Sequence, residues 1–99
     1  MALKLSYHNL AEAEIDSSLS WYEERSRQAF DHFRIRLITT LSSIPKFPER
    51  FPCVYDEFRS ARVKKFPYKV IFRIEQDTIF VIALAHDKRN PEYWKDRIS

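Results

Sequence analysis

A run of basic residues is the part of this 99-residue chain best suited to bind or act on another molecule. The run carries five bases and no acid between its ends, and its members are Arg59, Arg62, Lys64, Lys65 and Lys69. Positive charge without neighbouring carboxylates attracts an anionic partner, either nucleic acid or an acidic protein segment. A solvated sheet face would show the same pattern, and charge alone does not choose between the two partners.

Several kinds of active site are disfavoured by what the sequence lacks. Cys53 is the only cysteine, which excludes an internal disulfide and a cysteine-rich zinc site. The histidines are His8, His32 and His86, and none has a second ligand at the usual helical spacing. The chain has no glycine, so a glycine-rich phosphate loop cannot form. We therefore expect no metal ion and no cofactor.

A strand and an amphipathic helix of roughly four turns are predicted at the start of the chain. Residues 3–7 alternate apolar and polar side chains, the period of a half-buried strand. Asn9 lies three residues before Glu12, a spacing at which both side chains can cap a helix start. The apolar stripe of the helix is expected to contain Ile15, Leu19 and Tyr22, widened by Ala11, Ala13 and Trp21.

A second helix is predicted after a polar turn, with Ser26 as its cap. Its apolar residues recur at spacings of three and four, and they are Phe30, Phe33, Leu37, Leu41 and Ile44. Pro45 and Pro48 should end the helix, because proline has no N–H and its ring blocks the preceding turn. The two helices should form an antiparallel hairpin. The connector 45–52, rich in proline and phenylalanine, should pack on the core without regular structure.

The second half of the chain is predicted to form a three-stranded antiparallel meander. Residues 61–64 and 69–74 alternate apolar and basic side chains, as in strands buried on one side. Residues 79–85 are apolar on both faces, which indicates a central strand covered on both sides. The turn between the last two strands has no glycine, so Gln76 or Asp77 must take a positive φ. Residues 92–97 should form a short C-terminal helix, with Asn90 as cap and Pro91 in its first position.

We therefore expect one α+β domain over residues 1–99, with a helical hairpin packed on a small, mainly antiparallel sheet. A chain of this length lacks the side chains for a second core. Its composition, 44% hydrophobic and 15% aromatic, excludes disorder. We find no apolar run of about 20 residues and no secretory signal, so we expect a cytoplasmic protein without a membrane partner.

Two segments carry a resemblance to a known family. The run Lys65-Phe66-Pro67-Tyr68-Lys69 is similar to the basic–Phe–Pro–Tyr opening of the penultimate strand in the RelE/ParE toxin superfamily. Ala85-His86 followed by Arg89, Pro91, Trp94 and Arg97 is similar to the ending of its ParE-like branch, and Trp21-Tyr22-Glu23 is also typical. The resemblance extends over residues 3–97 and implies the toxin half of a type II toxin–antitoxin pair.

The resemblance also implies a protein partner. Toxins of this superfamily are held by a cognate antitoxin whose flexible segment wraps the toxin, and the complex binds operator DNA through the antitoxin. Antitoxin segments tend to be amphipathic and acidic, which suits the basic run. The residues expected to contact the antitoxin or the target are Arg59, Arg62, Lys64, Lys65, Lys69, Arg73, Arg89, Trp94 and Arg97.

Two mechanisms are implied by the superfamily. ParE-like members bind DNA gyrase and trap it on cleaved DNA, which requires a recognition surface and no hydrolysis. RelE-like members cut messenger RNA on the ribosome without a metal ion. That reaction requires groups that deprotonate the ribose 2′-hydroxyl, stabilise the charged phosphorane and protonate the leaving oxygen. The candidates for this chemistry are Arg62, Lys64, Arg73, His86, Arg89 and Tyr93.

One departure from the ribonuclease pattern favours the ParE-like mechanism. RelE-like nucleases usually carry an arginine about six residues before a C-terminal tyrosine, but this chain has Asp87 there, and its charge would repel the scissile phosphate. Other nuclease branches use histidine, and His86 is adjacent. Gyrase poisoning is therefore the first prediction and mRNA cleavage the second. A third is a non-toxic relative that binds antitoxin or operator DNA as a regulator.

The C-terminal candidates also have structural interpretations. His86 fits a hydrogen-bonded residue at the end of a strand. Tyr93 and Trp94 fit aromatic anchors that hold the tail on the core. Arg89 and Arg97 fit surface ion pairs with acids nearby in sequence, namely Asp87, Glu92 and Asp96.

Overall fold

A helical hairpin packs on one side of a five-stranded sheet in the computed structural model, which describes residues 3–98. The elements are β1 (Lys4–Tyr7), α1 (Asn9–Arg25), α2 (Arg27–Ser43), β2 (Cys53–Tyr55), β3 (Phe58–Val63), β4 (Tyr68–Glu75) and β5 (Thr78–His86). Short 3-10 helices span Pro48–Arg50 and Tyr93–Arg97. No helix within residues 3–98 combines the length and the apolar character needed to cross a membrane.

The strands lie in the order β1-β5-β4-β3-β2. β1 pairs with β5 in parallel, and the other neighbours are antiparallel, so the prediction of a mainly antiparallel sheet is confirmed. The meander has four strands rather than the predicted three, because β2 was not predicted. β2 is a three-residue edge strand whose side chains are all exposed, so no burial alternation marks it in the sequence.

The helix boundaries follow from capping. Ser26 caps α2 as predicted, since its hydroxyl accepts a hydrogen bond from the backbone N–H of Ala29 at 3.2 Å. The cap of α1 is His8 and not Asn9, because His8 Nδ1 accepts the Leu10 N–H at 3.0 Å. α2 ends at Ser43, two residues before Pro45.

The connector and the C-terminal segment depart partly from the predictions. The connector contains the first 3-10 helix and β2, although Phe51 does pack on the core, with its ring 5.8 Å from that of Phe72. The C-terminal segment is a 3-10 helix. It begins at Tyr93 after Glu92, which forms no side-chain capping bond, so the predicted cap at Asn90 and first position at Pro91 are wrong. The side chain of Asn90 instead accepts the Glu92 N–H at 2.9 Å, before the helix begins.

The sheet separates two cores. On the helix side, Phe33 and Leu37 of α2 pack against β-strand residues that include Phe72 and Val81. On the opposite side, Trp94 of the C-terminal 3-10 helix packs against Phe58, Ile71, Ile82, Ala83 and Ala85. β5 contributes to both cores, as predicted for a strand that is apolar on both faces. We call the two sides of the sheet the helix side and the tail side.

Ala13 and Trp21 do not widen the buried stripe of α1, contrary to the prediction. Both are exposed, Trp21 by 49%, and they line an open groove between α1 and the end of β5. β1 pairs with β5 only as far as Val81, so no strand among residues 3–98 covers the last residues of β5 beside this groove. The groove has a volume of about 450 Å³.

A β-bulge in β5 reverses which side chains face the helices. Ile71 pairs with Ala83 while Phe72 pairs with Val81, so Ile82 is an extra residue in β5. Ile82 and Ala83 therefore both lie on the tail side, and the later alternation is shifted by one residue. As a result, Leu84 joins the helix-side core.

Candidate functional site

The alternation of β3 and β4 places three of the candidate bases together. Arg62, Lys69 and Arg73 lie on the tail side, and Arg62 is directly opposite Lys69 in the β3–β4 register. We call these three residues the basic sheet face. Like charges opposite each other on neighbouring strands destabilise a sheet, so this arrangement favours an anion that binds between them.

Asp87 partly neutralises the basic sheet face. Its carboxylate receives a two-pronged hydrogen bond from the Arg62 guanidinium, with Nη1 3.0 Å from Oδ1. That hydrogen bond, more than the nearby charges of Arg62, Lys69 and His86, holds the pKa of Asp87 below its ordinary value. Asp87, the residue that departs from the ribonuclease pattern, therefore pairs with Arg62. This ion pair competes with any phosphate for the Arg62 guanidinium.

Arg59 and Arg73 are engaged by the fold. Arg59 donates to the carbonyl oxygens of Glu49 (3.0 Å) and Phe51 (2.7 Å), so it fixes the connector to β3. The Arg73 guanidinium lies over the rings of Phe58 and Phe80, and it forms ion pairs with Glu57 and Glu75.

The lysines of the predicted contact set are less constrained. Lys64 and Lys65 are exposed in the turn between β3 and β4, and Lys69 is half-buried. None of the three forms an ion pair with any residue from Leu3 to Ile98.

The bulge places His86 on the helix side, away from the basic sheet face. Its ring lies 4.9 Å from that of Tyr68 and borders the groove beside α1. His86 Nδ1 accepts the backbone N–H of Lys88 at 3.0 Å, so a neutral His86 carries its proton on Nε2. In that tautomer Nε2 is a hydrogen-bond donor.

Three other C-terminal candidates converge on Glu14 of α1, and we call Glu14, Arg89, Tyr93 and Arg97 the Glu14 cluster. Arg97 donates to both carboxylate oxygens, at 2.9 Å and 2.8 Å. The Tyr93 hydroxyl donates to Oε2 at 2.7 Å, and Arg89 Nη1 lies 3.3 Å from the same oxygen. The Glu14 and Arg97 side chains are only 16% and 10% exposed, so this ion pair is largely shielded from solvent.

The Glu14 cluster also replaces the missing strand beside the end of β5. Glu14 Oε1 accepts the Leu84 N–H at 3.0 Å, and Arg97 donates to the Ile82 carbonyl oxygen at 2.9 Å. These side chains satisfy backbone groups that β1 is too short to reach. Arg89 and Arg97 were predicted to pair with acids close to them in sequence. Both instead pair with Glu14, which is distant in sequence.

Burial and hydrogen bonding shift two pKa values within the cluster. Burial opposes ionisation of Glu14, but hydrogen bonds from Arg97, Tyr93 and the Leu84 N–H outweigh it and hold the Glu14 pKa below its ordinary value. Burial, followed by the hydrogen bond to Glu14, raises the pKa of Tyr93 far above its ordinary value. Tyr93 is therefore neutral at physiological pH and reluctant to lose its proton.

Trp94 is part of the tail-side core. Its side chain is 2% exposed and lies 5.4 Å from the ring of Phe58, measured between ring centroids. Because Trp94 is buried, little of its side chain is accessible to a partner. Its position fits the interpretation of Trp94 as an aromatic anchor that holds the tail on the core.

Glu14 is the functional-site residue that sequence reasoning missed. It lies three residues after Ala11 and four before Ser18, the two buried residues of α1, so it faces inward. An acid on the buried stripe of an amphipathic helix was the available signal. Within residues 3–98, no group of three or more side chains is arranged to hold a metal ion.

Comparison with known proteins identifies the family. The family described as "ParE toxin of type II toxin-antitoxin system, parDE" matches residues 5–91. Toxin ParE2 of Mycobacterium tuberculosis is 24% identical over 100 residues, which cover all of this chain and 95% of the relative.

Solved structures share the fold. A chain of a chromosomal ParDE toxin–antitoxin system from P. aeruginosa matches with a TM-score of 0.73 and 13% identity, over 86% of this chain and 96% of that one. A mutant of the E. coli toxin RelE in the free state matches over the full length of both chains, with a TM-score of 0.65 and 15% identity. The family match spans most of the sequence. The strands and helices of this chain also follow the order that the sequence analysis predicted for the family, apart from the additional strand β2. The chain therefore belongs to the ParE toxin family of type II toxin–antitoxin systems.

Proposed function

We propose that this toxin inhibits growth by binding DNA gyrase and holding it on cleaved DNA, and that a cognate antitoxin neutralises it. Both partners act in the bacterial cytoplasm, so the toxin is proposed to act there as well. This mechanism requires a recognition surface and no proton transfer by the toxin.

The separation of His86 from the basic sheet face is the observation that carries the proposal. RNA cleavage requires a base, an acid and positive charge around a single phosphate. The bulge at Ile82 places His86 on the helix side, whereas Arg62 and Lys69 lie on the tail side. Side chains on opposite sides of a sheet are poorly placed to act on one phosphate, which disfavours cleavage.

Three of the remaining ribonuclease candidates have other partners. Tyr93 and Arg89 contact Glu14, and Arg73 pairs with Glu57 and Glu75. The raised pKa of Tyr93 also makes it a poor proton shuttle. Without a base and an acid near the basic sheet face, positive charge alone supports binding rather than cleavage.

The proposed contact surface is the exposed part of the basic residues. Arg62, Lys64, Lys65 and Lys69 are proposed to bind the antitoxin or the target, and Arg89, with its side chain 53% exposed, extends this set. Arg59, Arg73, Trp94 and Arg97 serve the fold first, so their replacement should act mainly through stability.

Ribosome-dependent mRNA cleavage is the second candidate. It is favoured by the unpaired positive charge of Lys69 directly opposite Arg62, which suits a polyanion such as RNA. The third candidate, a non-toxic regulator that binds antitoxin or operator DNA, would use the same basic contact surface and would require no catalytic group.

The discriminating experiment uses purified components. Toxin is incubated with gyrase, ATP and relaxed plasmid, and the DNA is examined after protein denaturation. We expect linear plasmid to accumulate with rising toxin concentration. In parallel, toxin is added to ribosomes that are translating a defined message. Cleaved message with intact plasmid would replace our mechanism by the second candidate. If both substrates stay intact and induction does not slow growth, the regulator is supported.

A matched pair of variants tests the contact surface. Arg62→Gln/Lys64→Gln/Lys69→Gln removes three charges from it, and Lys4→Gln/Lys46→Gln/Lys88→Gln removes three elsewhere. We expect only the first variant to lose growth inhibition, by about tenfold or more in the inducer concentration required. Equal toxicity of the two variants would exclude this surface from the mechanism.

A further inference from the structure

We propose that a pocket on the tail side of the sheet binds a small aryl carboxylate, that is, a singly charged anion with a flat apolar body. The pocket lies between β2, β4 and the C-terminal 3-10 helix, and we call it the tail pocket. Its volume is about 400 Å³, and its lining includes Tyr55, Lys69, Ile71, Pro91, Trp94 and Lys95. The proposal does not rest on which target the toxin attacks.

An unpaired hydrogen-bond donor is the first observation. The Trp94 side chain borders the tail pocket and is buried, yet its indole Nε1–H has no hydrogen-bond partner among residues 3–98. Buried donors are nearly always satisfied, because an unmet donor loses its hydration without compensation. The Tyr55 ring lies edge to face with Trp94, 6.2 Å between centroids, and a ring is a weaker acceptor than an oxygen. The indole therefore favours a ligand that brings an acceptor oxygen.

Lys69 supplies uncompensated positive charge to the same pocket. Its side chain is half-buried and forms no ion pair in the stretch from Leu3 to Ile98. The two charged groups beside it neutralise each other, since Arg62, directly opposite in the β3–β4 register, is paired with Asp87. A partly desolvated ammonium without a counter-ion favours an anion within its reach.

The charges in the tail pocket favour a ligand with one negative charge. Lys95 lines the pocket, but it pairs with Glu92, which lines it as well, and Lys95 Nζ lies 3.7 Å from the centre of the Tyr55 ring. Lys69 is then the one lining cation without a paired acid. A monocarboxylate balances its charge. A doubly charged phosphate monoester would leave one negative charge beside Glu92.

The walls of the tail pocket favour a flat apolar body. Tyr55 and Trp94 present aromatic surface, and Ile71 and Pro91 present aliphatic surface. Apolar walls with a few polar groups are typical of small-molecule sites, and the volume of the tail pocket is within their usual range. A bare inorganic anion would use Lys69 and leave these walls uncovered. An aryl carboxylate uses both, and it would connect the C-terminal 3-10 helix to β4.

The test observes the indole N–H directly. The chain has two tryptophans, and Trp21 borders the groove on the helix side, so proton–nitrogen correlation spectra contain two indole signals that Trp21→Phe assigns. The full chain is titrated with naphthoate and with naphthamide, which has a similar shape and no charge. We expect naphthoate to move the Trp94 signal saturably, and naphthamide to bind at least about tenfold more weakly. An unmoved Trp94 signal, or equal affinities, would overturn the proposal.

A matched pair of variants locates the charge. We expect Lys69→Gln to weaken naphthoate binding by about tenfold, and the control Lys88→Gln, outside the tail pocket, by less than about twofold. Circular dichroism melts confirm that both variants are folded. Equal affinity of the two variants would remove Lys69 from the site and overturn the proposal. The naphthamide comparison uses no variant, so it decides the question even if Lys69→Gln does not fold.

Two further titrations separate other occupants. Inorganic phosphate that moves the Trp94 signal with the affinity of naphthoate would overturn the flat body and reassign the pocket to simple anions. An RNA dinucleotide that binds more tightly than naphthoate, and depends on Lys69, would reassign it to nucleic acid. None of these titrations uses growth or gyrase, so failure of the gyrase mechanism leaves this test unaffected.

Discussion

At the scale of single residues, Glu14 has the largest number of structural roles. It neutralises Arg97, accepts the Tyr93 hydroxyl and caps a backbone N–H at the open edge of β5. Removal of one partner from a shielded ion pair leaves the other charge uncompensated, which costs far more than loss of a surface pair. The tail and α1 therefore depend on one carboxylate.

We predict that Glu14→Gln lowers the free energy of unfolding by about 2–4 kcal/mol, because Arg97 keeps its charge in a site that is largely closed to water. The measurement is urea denaturation at neutral pH. The control is Glu23→Gln, an exposed position on the same helix, for which we expect a change below about 0.5 kcal/mol. Similar losses for both variants would contradict the central role of Glu14.

The acid stability of the toxin should depend on the same carboxylate. The folded-state pKa of Glu14 is below its ordinary value of 4.5, so its ionised form stabilises the fold. This contribution is complete above the ordinary pKa and is lost as pH falls through the folded-state value. We expect the decline in stability below about pH 4.5 to be shallower in Glu14→Gln than in the wild type. Parallel pH profiles would show that other carboxylates control the decline.

At the scale of elements, Ser26 determines where α2 begins. Its hydroxyl satisfies the Ala29 N–H, a group with no partner within the helix. We predict that Ser26→Ala destabilises the protein by about 1 kcal/mol in thermal or urea unfolding. Ser20→Ala, at an exposed position inside α1, should be neutral or slightly stabilising, since alanine is the better helix former. A neutral Ser26→Ala would mean that the cap contributes little.

In the β3–β4 turn, substitution by glycine should have opposite effects on stability at two neighbouring positions. Lys65 has a positive φ and its neighbour Lys64 does not. We predict that Lys65→Gly stabilises the protein by about 0.5–1 kcal/mol, because glycine adopts this conformation without a steric penalty. Lys64→Gly should destabilise it by a similar amount. An unchanged or lower stability of Lys65→Gly would contradict this explanation.

At the scale of the whole molecule, one sheet joins the two cores. The helix-side core and the tail-side core share β3, β4 and β5, so loss of either core should unfold the entire domain. We predict that Trp94→Ala lowers the free energy of unfolding by about 3–5 kcal/mol. The urea transition should remain a single one. A separate early transition would show that the tail unfolds by itself.

Much of the fold follows from local patterns in the sequence. The period of Phe33 and Leu37 predicts the buried face of α2, and Ser26 predicts its first turn. The apolar run 79–85 predicts a strand that is covered on both faces, and the turn without glycine predicts the positive φ of Gln76. These features depend on residues close in sequence, so composition and spacing are sufficient to determine them.

The arrangement of the site was decided by the tertiary structure. One extra residue in β5 moves His86 to the helix side, and a bulge has no reliable mark in an apolar run. The partner of Arg97 is 83 residues away in sequence, so spacing could not identify it. The sequence therefore determined that a basic surface and a C-terminal group of candidates exist. Only strand register and long-range packing decided that His86 lies on the opposite side of the sheet from Arg62 and that Tyr93 and Arg97 bind Glu14, because both depend on contacts between distant parts of the chain.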